Sequence, residues 1–113
     1  MKNTRRYARP RQQPKPGQMN KTEERYSGQL KQLQMIGGIV RYEFEALKLR
    51  LAKKTFYTPD FYVVTNEHIE LHEVKGFWED DARVKIKMAA KMFPEFKFIA
   101  IQWKNGTWQY EEF

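Results

Sequence analysis

From Val40 onward, the middle of the chain carries apolar residues at every second position, a spacing that commits it to β-sheet. Val40, Tyr42 and Phe44 alternate with Arg41, Glu43 and Glu45; Leu47, Leu49 and Leu51 alternate with Lys48 and Arg50. The apolar parity slips between Phe44 and Leu47. A bulge or turn is required there, because a one-residue slip otherwise sends every later side chain to the wrong face. Lys53-Lys54 reads as a tight turn. A strand is expected from about Phe56 to Thr65, and Asn66-Glu67 turns it into another from Ile69 to Lys75, making an antiparallel hairpin.

A helical period precedes this stretch. Asn20 and Glu23 have the spacing of a capping box, with Thr22 as a rival cap. Tyr26, Leu30 and Leu33 follow on one face, with Ile36 or Met35 closing the stripe and Gly37-Gly38 ending the helix. Glu23 lies three residues before Tyr26 and extends the apolar stripe inward, whereas Glu24 points toward solvent. A second helix is expected after Gly76. Glu79, Asp80 and Asp81 suit its positive end, Ala82, Ile86, Ala89 and Phe93 form its apolar side, and Pro94 stops it. Phe96 to Ile101 reads as a strand buried on both faces. Asn105-Gly106 signals a type I′ hairpin that pairs Trp103 with Trp108. The expected order is α-β-β-β-β-α-β-β, an α/β (α+β) mixed sheet with a helix on each side.

At 113 residues the chain has room for one domain and a tail. Its 41% hydrophobic and 15% aromatic content supports a small core. No run approaches the ~18 apolar residues of a membrane span, so no membrane partner is expected. No apolar stretch follows the N-terminal bases, which argues against a secretory signal. The absence of cysteine excludes disulfides, thiolate zinc sites and cysteine nucleophiles, and a cytoplasmic location is expected. The net charge of +7 is unevenly placed. Lys2, Arg5, Arg6, Arg9, Arg11 and Lys15 lie among the first twenty residues, which carry no acid. Pro10, Pro14, Pro16 and Gly17 join them, so residues 1–19 read as a disordered basic tail before a domain at 20–113. The tail either holds a polyanion by salt-sensitive phosphate contacts or is a solubilising leader, or even precedes a true start at Met19.

The segment Tyr57-Thr58-Pro59-Asp60-Phe61 and the strand His72-Glu73-Val74-Lys75-Gly76 carry the candidate chemistry. Glu73 and Lys75 share a strand face with heads roughly 7 Å apart, and Val74 points the other way. The proposed hairpin brings Asp60 to the same end of the sheet. Carboxylate oxygens are ligands that Mg²⁺ prefers, and such an ion can orient a water nucleophile at a phosphodiester. Lys75 could then polarise the water or stabilise charge on phosphorus. A structural salt bridge between Glu73 and Lys75 accounts for the spacing equally simply.

Pro59-Asp60 with Glu73-Val74-Lys75 resembles the PD-(D/E)XK nuclease signature. The longer texts, Tyr57 to Phe61 and Glu73-Val74-Lys75-Gly76-Phe77-Trp78-Glu79-Asp80-Asp81-Ala82-Arg83, resemble the phage endonuclease I family of Holliday-junction resolvases and related small phage and prophage proteins. The similarity runs from about Glu23 to Ile101. It implies a restriction-endonuclease-like sheet and a Mg²⁺- or Mn²⁺-dependent endonuclease acting on branched DNA inside a bacterial host cell. By the same resemblance Asp60 bridges one or two metal ions, Glu73 is the second carboxylate, Val74 lends its backbone carbonyl, Lys75 is the catalytic lysine, and Glu23 is the first-helix glutamate. Branched DNA needs paired cuts, so a homodimer is expected. The alternatives are a nicking or recombination nuclease subunit that needs a partner, and a DNA-binding module that does not cut.

Arg83, Lys85, Lys87 and Lys91 are either a solvated helix face or phosphate contacts, and Arg5, Arg6, Arg9 and Arg11 are the candidate phosphate contacts of the tail. His72 is expected to pack on the opposite face from Glu73, and His68 to be solvated at a turn. Trp78 braces the site or stacks on a base. Gln102 caps its strand or touches the site, and the Trp103–Trp108 pair locks its hairpin.

Overall fold

The computed structural model describes residues 17–76 and 80–113. The chain forms helix α1 (Lys21–Met35), strands β1 (Arg41–Phe44), β2 (Leu49–Ala52), β3 (Thr55–Tyr57), β4 (Phe61–Val64) and β5 (Ile69–Lys75), helix α2 (Asp80–Met92), and strands β6 (Lys97–Lys104) and β7 (Thr107–Glu112). Five strands make one mixed sheet in the order β1-β4-β5-β6-β7. Only β5 and β6 run parallel, joined by α2 as a crossover. β2 and β3 form a separate two-stranded hairpin. The fold is thus mixed α/β, with a five-stranded sheet and two helices. The expected tail lies almost wholly outside the described residues, as do Trp78 and Glu79.

The ends of α1 follow from local chemistry. Asn20 Oδ1 accepts from the Glu23 N–H at 2.8 Å, and Glu23 Oε1 accepts from the Asn20 N–H at 2.9 Å, so two orphan donors are satisfied reciprocally. At the other end the Gly38 and Gly37 N–H groups donate to the carbonyls of Leu33 and Gln34, with Gly37 at φ 83°. This is a Schellman stop that needs a residue tolerant of positive φ. Met35 and Ile36 do not close the apolar stripe as expected; they are 76% and 80% exposed, because the stop turns the chain before they reach the sheet.

One strand expectation is corrected. The expected strand from Phe56 to Thr65 is two, β3 and β4, and five strands rather than four precede α2. Pro59 explains the break: it has no N–H to donate and a fixed φ, so it interrupts a ladder. The chain leaves the β2–β3 hairpin at Tyr57 and enters the main sheet at Phe61. The parity slip is resolved by Glu45, which has a positive φ of 51° and donates its N–H to the Asp60 carbonyl at 2.8 Å. The β4–β5 and β6–β7 hairpins pair as expected, Trp103 against Trp108, with Asn105 and Gly106 both at positive φ.

Two buried clusters hold the helices to opposite faces of the sheet. Tyr26 and Leu30 of α1 pack on Phe61, Val63, Val74 and Ile101. Ile86 and Ala89 of α2 pack on Leu71 and Phe98, and Leu49, Leu51 and Tyr57 of the β2–β3 hairpin join them. Phe61 is fully buried, and truncation to alanine at such a site costs about 3–5 kcal/mol.

Candidate active site

Alternation along β5 sends Val74 into the cluster under α1 and sets Glu73 and Lys75 on the α2 face. Asp60 immediately precedes β4. Extending the Phe61↔His72 register by one residue puts it opposite Glu73. Asp60 Oδ2 accepts from the Val74 N–H at 2.8 Å, while its carbonyl accepts from Glu45, so side chain and backbone are both held. Tyr57 Oη donates to Glu73 Oε1 at 2.8 Å, and Lys75 Nζ lies 3.2 Å from Glu73 Oε2. Glu23 is buried, as its place on the stripe predicted, and Glu24 is exposed. Its charge acts on both Asp60 and Lys75. Asp60, Glu73 and Lys75 therefore meet at one end of the sheet, while Glu23, whose Oε1 caps α1, acts on them only through its charge.

Their electrostatics are those of crowded like charges. Burial, then the charge of Glu73, pushes the Asp60 carboxyl up to about 9; the Val74 N–H and Lys75 work against this, and Glu23 adds to it. Burial also raises Glu73, opposed by Lys75 and by the Tyr57 hydrogen bond. For Lys75 burial works to lower the pKa, but Glu73, Asp60 and Glu23 outweigh it and the net shift is upward. Burial and the neighbouring Glu73 hold the Tyr57 phenol far above its ordinary range, so it stays a hydrogen-bond donor.

Beside these groups lies a groove of about 260 Å³. Phe56, Tyr57 and Thr58 form one wall, Ala82, Lys85 and Ile86 of α2 the other, and Glu73 and Lys75 its floor. The donor set is hard oxygen, the kind that suits Mg²⁺ or Mn²⁺, and a cation would relieve the crowding. Both Glu73 oxygens already have partners, however. Among the described residues no three acidic or imidazole side chains converge into a ready-made metal cage.

The basic residues of α2 divide. Lys85 lines the groove just described. Arg83, Lys87 and Lys91 line a second, more open depression of about 510 Å³ with Glu111, Glu112 and Phe113. Arg83 makes a two-pronged pair with Glu111 at 2.9 and 2.6 Å, so its guanidinium is engaged within the chain. Arg5, Arg6, Arg9 and Arg11 lie outside the described residues.

Gln102 donates to the Gly76 carbonyl at 3.0 Å and caps its strand. The Trp103–Trp108 rings meet edge to face at 4.8 Å, with Arg25 over Trp103 and Trp108 against Tyr26, which braces the hairpin on α1. His72 is buried on the α1 face. His68 is not simply solvated; its Nε2 is 2.6 Å from Glu70 Oε2. The sequence reading assigned no role to Tyr57. The available signal was its polar tip: a buried tyrosine usually finds a partner for its hydroxyl, and the nearest chemistry was the acidic strand.

No family model matches the chain, and no curated protein or solved structure matches it. No helix among the described residues is long and apolar enough to cross a membrane.

Proposed function

We propose that the chain is a divalent-metal-dependent endodeoxyribonuclease with a restriction-endonuclease-like sheet, hydrolysing phosphodiester bonds in DNA and acting on branched DNA as a homodimer. The same reading carries phage or prophage origin and action in the host cytoplasm. The observation that carries it is the placement of Asp60. A carboxyl pinned by the Val74 N–H beside Glu73 and Lys75, and driven up to about 9 by burial and by Glu73, is costly for stability alone.

Asp60 and Glu73, supported by Glu23 and the Val74 carbonyl, would hold one or two ions. When bound, Mg²⁺ or Mn²⁺ supplies charge neutralisation at the phosphate and activation of the attacking water. Holding an ion would require Asp60 to give up its proton, so loading would strengthen as pH rises toward about 9. Lys75 keeps its proton at neutral pH, because its pKa is raised, and acts as a positive charge on the developing phosphorane rather than as a base. Its side chain is 40% exposed, which leaves it within reach of a substrate. Tyr57 fixes the orientation of Glu73 by donating to it.

Purified protein is incubated with a four-way junction and with linear duplex, in Mg²⁺ or in EDTA. Metal-dependent cutting of the junction is the expected result. Cutting only after a partner is added makes the chain a nicking or recombination subunit. Binding with no cutting in Mg²⁺ or Mn²⁺ makes it a DNA-binding module and sinks the hydrolytic reading.

A further inference from the structure

We infer that the β2–β3 hairpin is a docking arm for the phosphate backbone of duplex nucleic acid, placed to hold the duplex beside the groove. This rests on reading that groove as a phosphodiester-hydrolysing site. Between Ala46 and Pro59 the chain carries four bases, Lys48, Arg50, Lys53 and Lys54, and no acid. The hairpin is two-faced. Leu49, Leu51 and Tyr57 anchor one face under α2. Lys48 and Arg50 point the other way, Phe56 stands opposite Arg50 in the register, and Lys53-Lys54 form the tip. All four bases are exposed, and none makes an ion pair among the described residues.

Phe56 is 41% exposed, has the Lys48 ammonium 4.5 Å over its ring, and also lines the groove. The cationic face of the hairpin therefore continues into a groove that holds Lys75 and Lys85. That continuity has a physical use. Three carboxylates at the site repel a phosphate backbone, and cations just outside it must supply the attraction. In extended chain, residues two apart such as Lys48, which immediately precedes β2, and Arg50 within it lie roughly 7 Å apart, comparable with the separation of neighbouring phosphates along one strand. Tyr57 links the arm to the chemistry, since its backbone ends β3 and its hydroxyl holds Glu73. Lysines also guard exposed strand edges against aggregation, but Lys48 and Arg50 occupy a face around an exposed aromatic ring, not an edge alone.

The test is binding of the full chain to a labelled linear duplex in EDTA across a salt series. K48Q/R50Q/K53Q/K54Q is expected to weaken binding at least about 10-fold and to flatten the log K against log salt slope by about 2 to 3. K53Q/K54Q changes only the exposed turn and is expected to flatten it by about 1 to 2. K31Q/K97Q, which removes two lysines from α1 and β6, should leave the slope within about 0.5 of the parent. An unchanged slope in both hairpin variants, or an equal loss in K31Q/K97Q, overturns the inference. So does loss of binding to phosphatidylserine vesicles with duplex affinity retained, which makes the arm a membrane contact. If the parent never cuts DNA but the hairpin variants lose binding as stated, the arm stands and the hydrolytic reading falls. If the parent cuts and the slopes do not move, the reverse holds.

Discussion

Strand β5 carries two glutamates three residues apart, Glu70 and Glu73, and their surroundings drive them in opposite directions. Glu70 faces α1. His72 Nε2 lies 2.8 Å from one of its oxygens and His68 Nε2 lies 2.6 Å from the other. Its carboxyl is pulled down to about 2, chiefly by the His72 hydrogen bond, which with the His68 hydrogen bond and the charges of both rings outweighs the upward push of burial. An ionised carboxylate only accepts, so His72 Nε2 carries a hydrogen; in the neutral ring Nδ1 then accepts from Tyr26 Oη at 2.7 Å. That side of the sheet is a chain of donors and acceptors running from His68 through Glu70 and His72 to Tyr26.

Glu73 faces α2, with Asp60 opposite it in the register, and its ion pair among the described residues is with Lys75. There Asp60 and Glu73 are raised, not lowered. A buried carboxylate is stable where its neighbours donate and strained where they are also acids. The first arrangement holds the sheet to α1. The second crowds acids together, which the proposed metal would relieve.

Breaking the α2 side should have the largest effect. Asp60→Asn keeps an acceptor for the Val74 N–H but removes the charge, so cleavage should fall to background while duplex binding holds or tightens. The sign for stability is opposite. Unfolded Asp titrates near 4 and folded Asp60 near 9, so between these the folded state keeps a proton the unfolded state has lost. Parent stability therefore declines as pH rises through this window. Thermal melts in EDTA should show the variant more stable at pH 8, with the gap closing toward pH 4. Cleavage at the parent rate would remove Asp60 from the site.

Tyr57→Phe sharpens the comparison by withdrawing the neutral side-chain donor to Glu73, leaving the Asp60 backbone N–H and Lys75. We expect a rate roughly 10-fold lower at saturating metal, the value of about one hydrogen bond to a charged group, with the fold intact by circular dichroism. An unchanged rate would mean that Lys75 and the Asp60 backbone N–H suffice to orient Glu73.

Glu70→Gln tests the opposite face. It should cost on the order of 1 kcal/mol, discounted for partial exposure, without changing cleavage. The depressed pKa sets the window: the contribution is full above the unfolded value near 4 and is lost as pH falls toward about 2. A stability gap that persists at pH 2 would argue that packing, not charge, is responsible. Arg83→Gln should do least. Its guanidinium is held by Glu111 at the surface, so neither duplex affinity nor melting temperature should shift appreciably.

Much of this was legible in the residues. The capping box at Asn20 and Glu23, the Gly37-Gly38 stop and the Asn105-Gly106 turn each depend on partners within a few positions, so spacing is enough to read them. Glu23 was placed inward by period alone, and Glu73 and Lys75 were placed on one face by alternation. The break at Pro59 was misread because the aromatic and β-branched run on both sides outweighed one residue's missing N–H. The pairing of Arg83 with Glu111, 28 positions away, has no local signature.

The sequence by itself determined the elements, their faces and which side chains could share a surface, because those follow from periods and caps that act over a turn or a strand. Tertiary structure alone decided that β3 leaves the main sheet with Tyr57 reaching back to Glu73, that Glu70 meets imidazoles, and that Asp60 meets other acids. The reason is physical: desolvation and Coulomb interaction depend on distance through space, and two glutamates on one strand read alike until their neighbours are known.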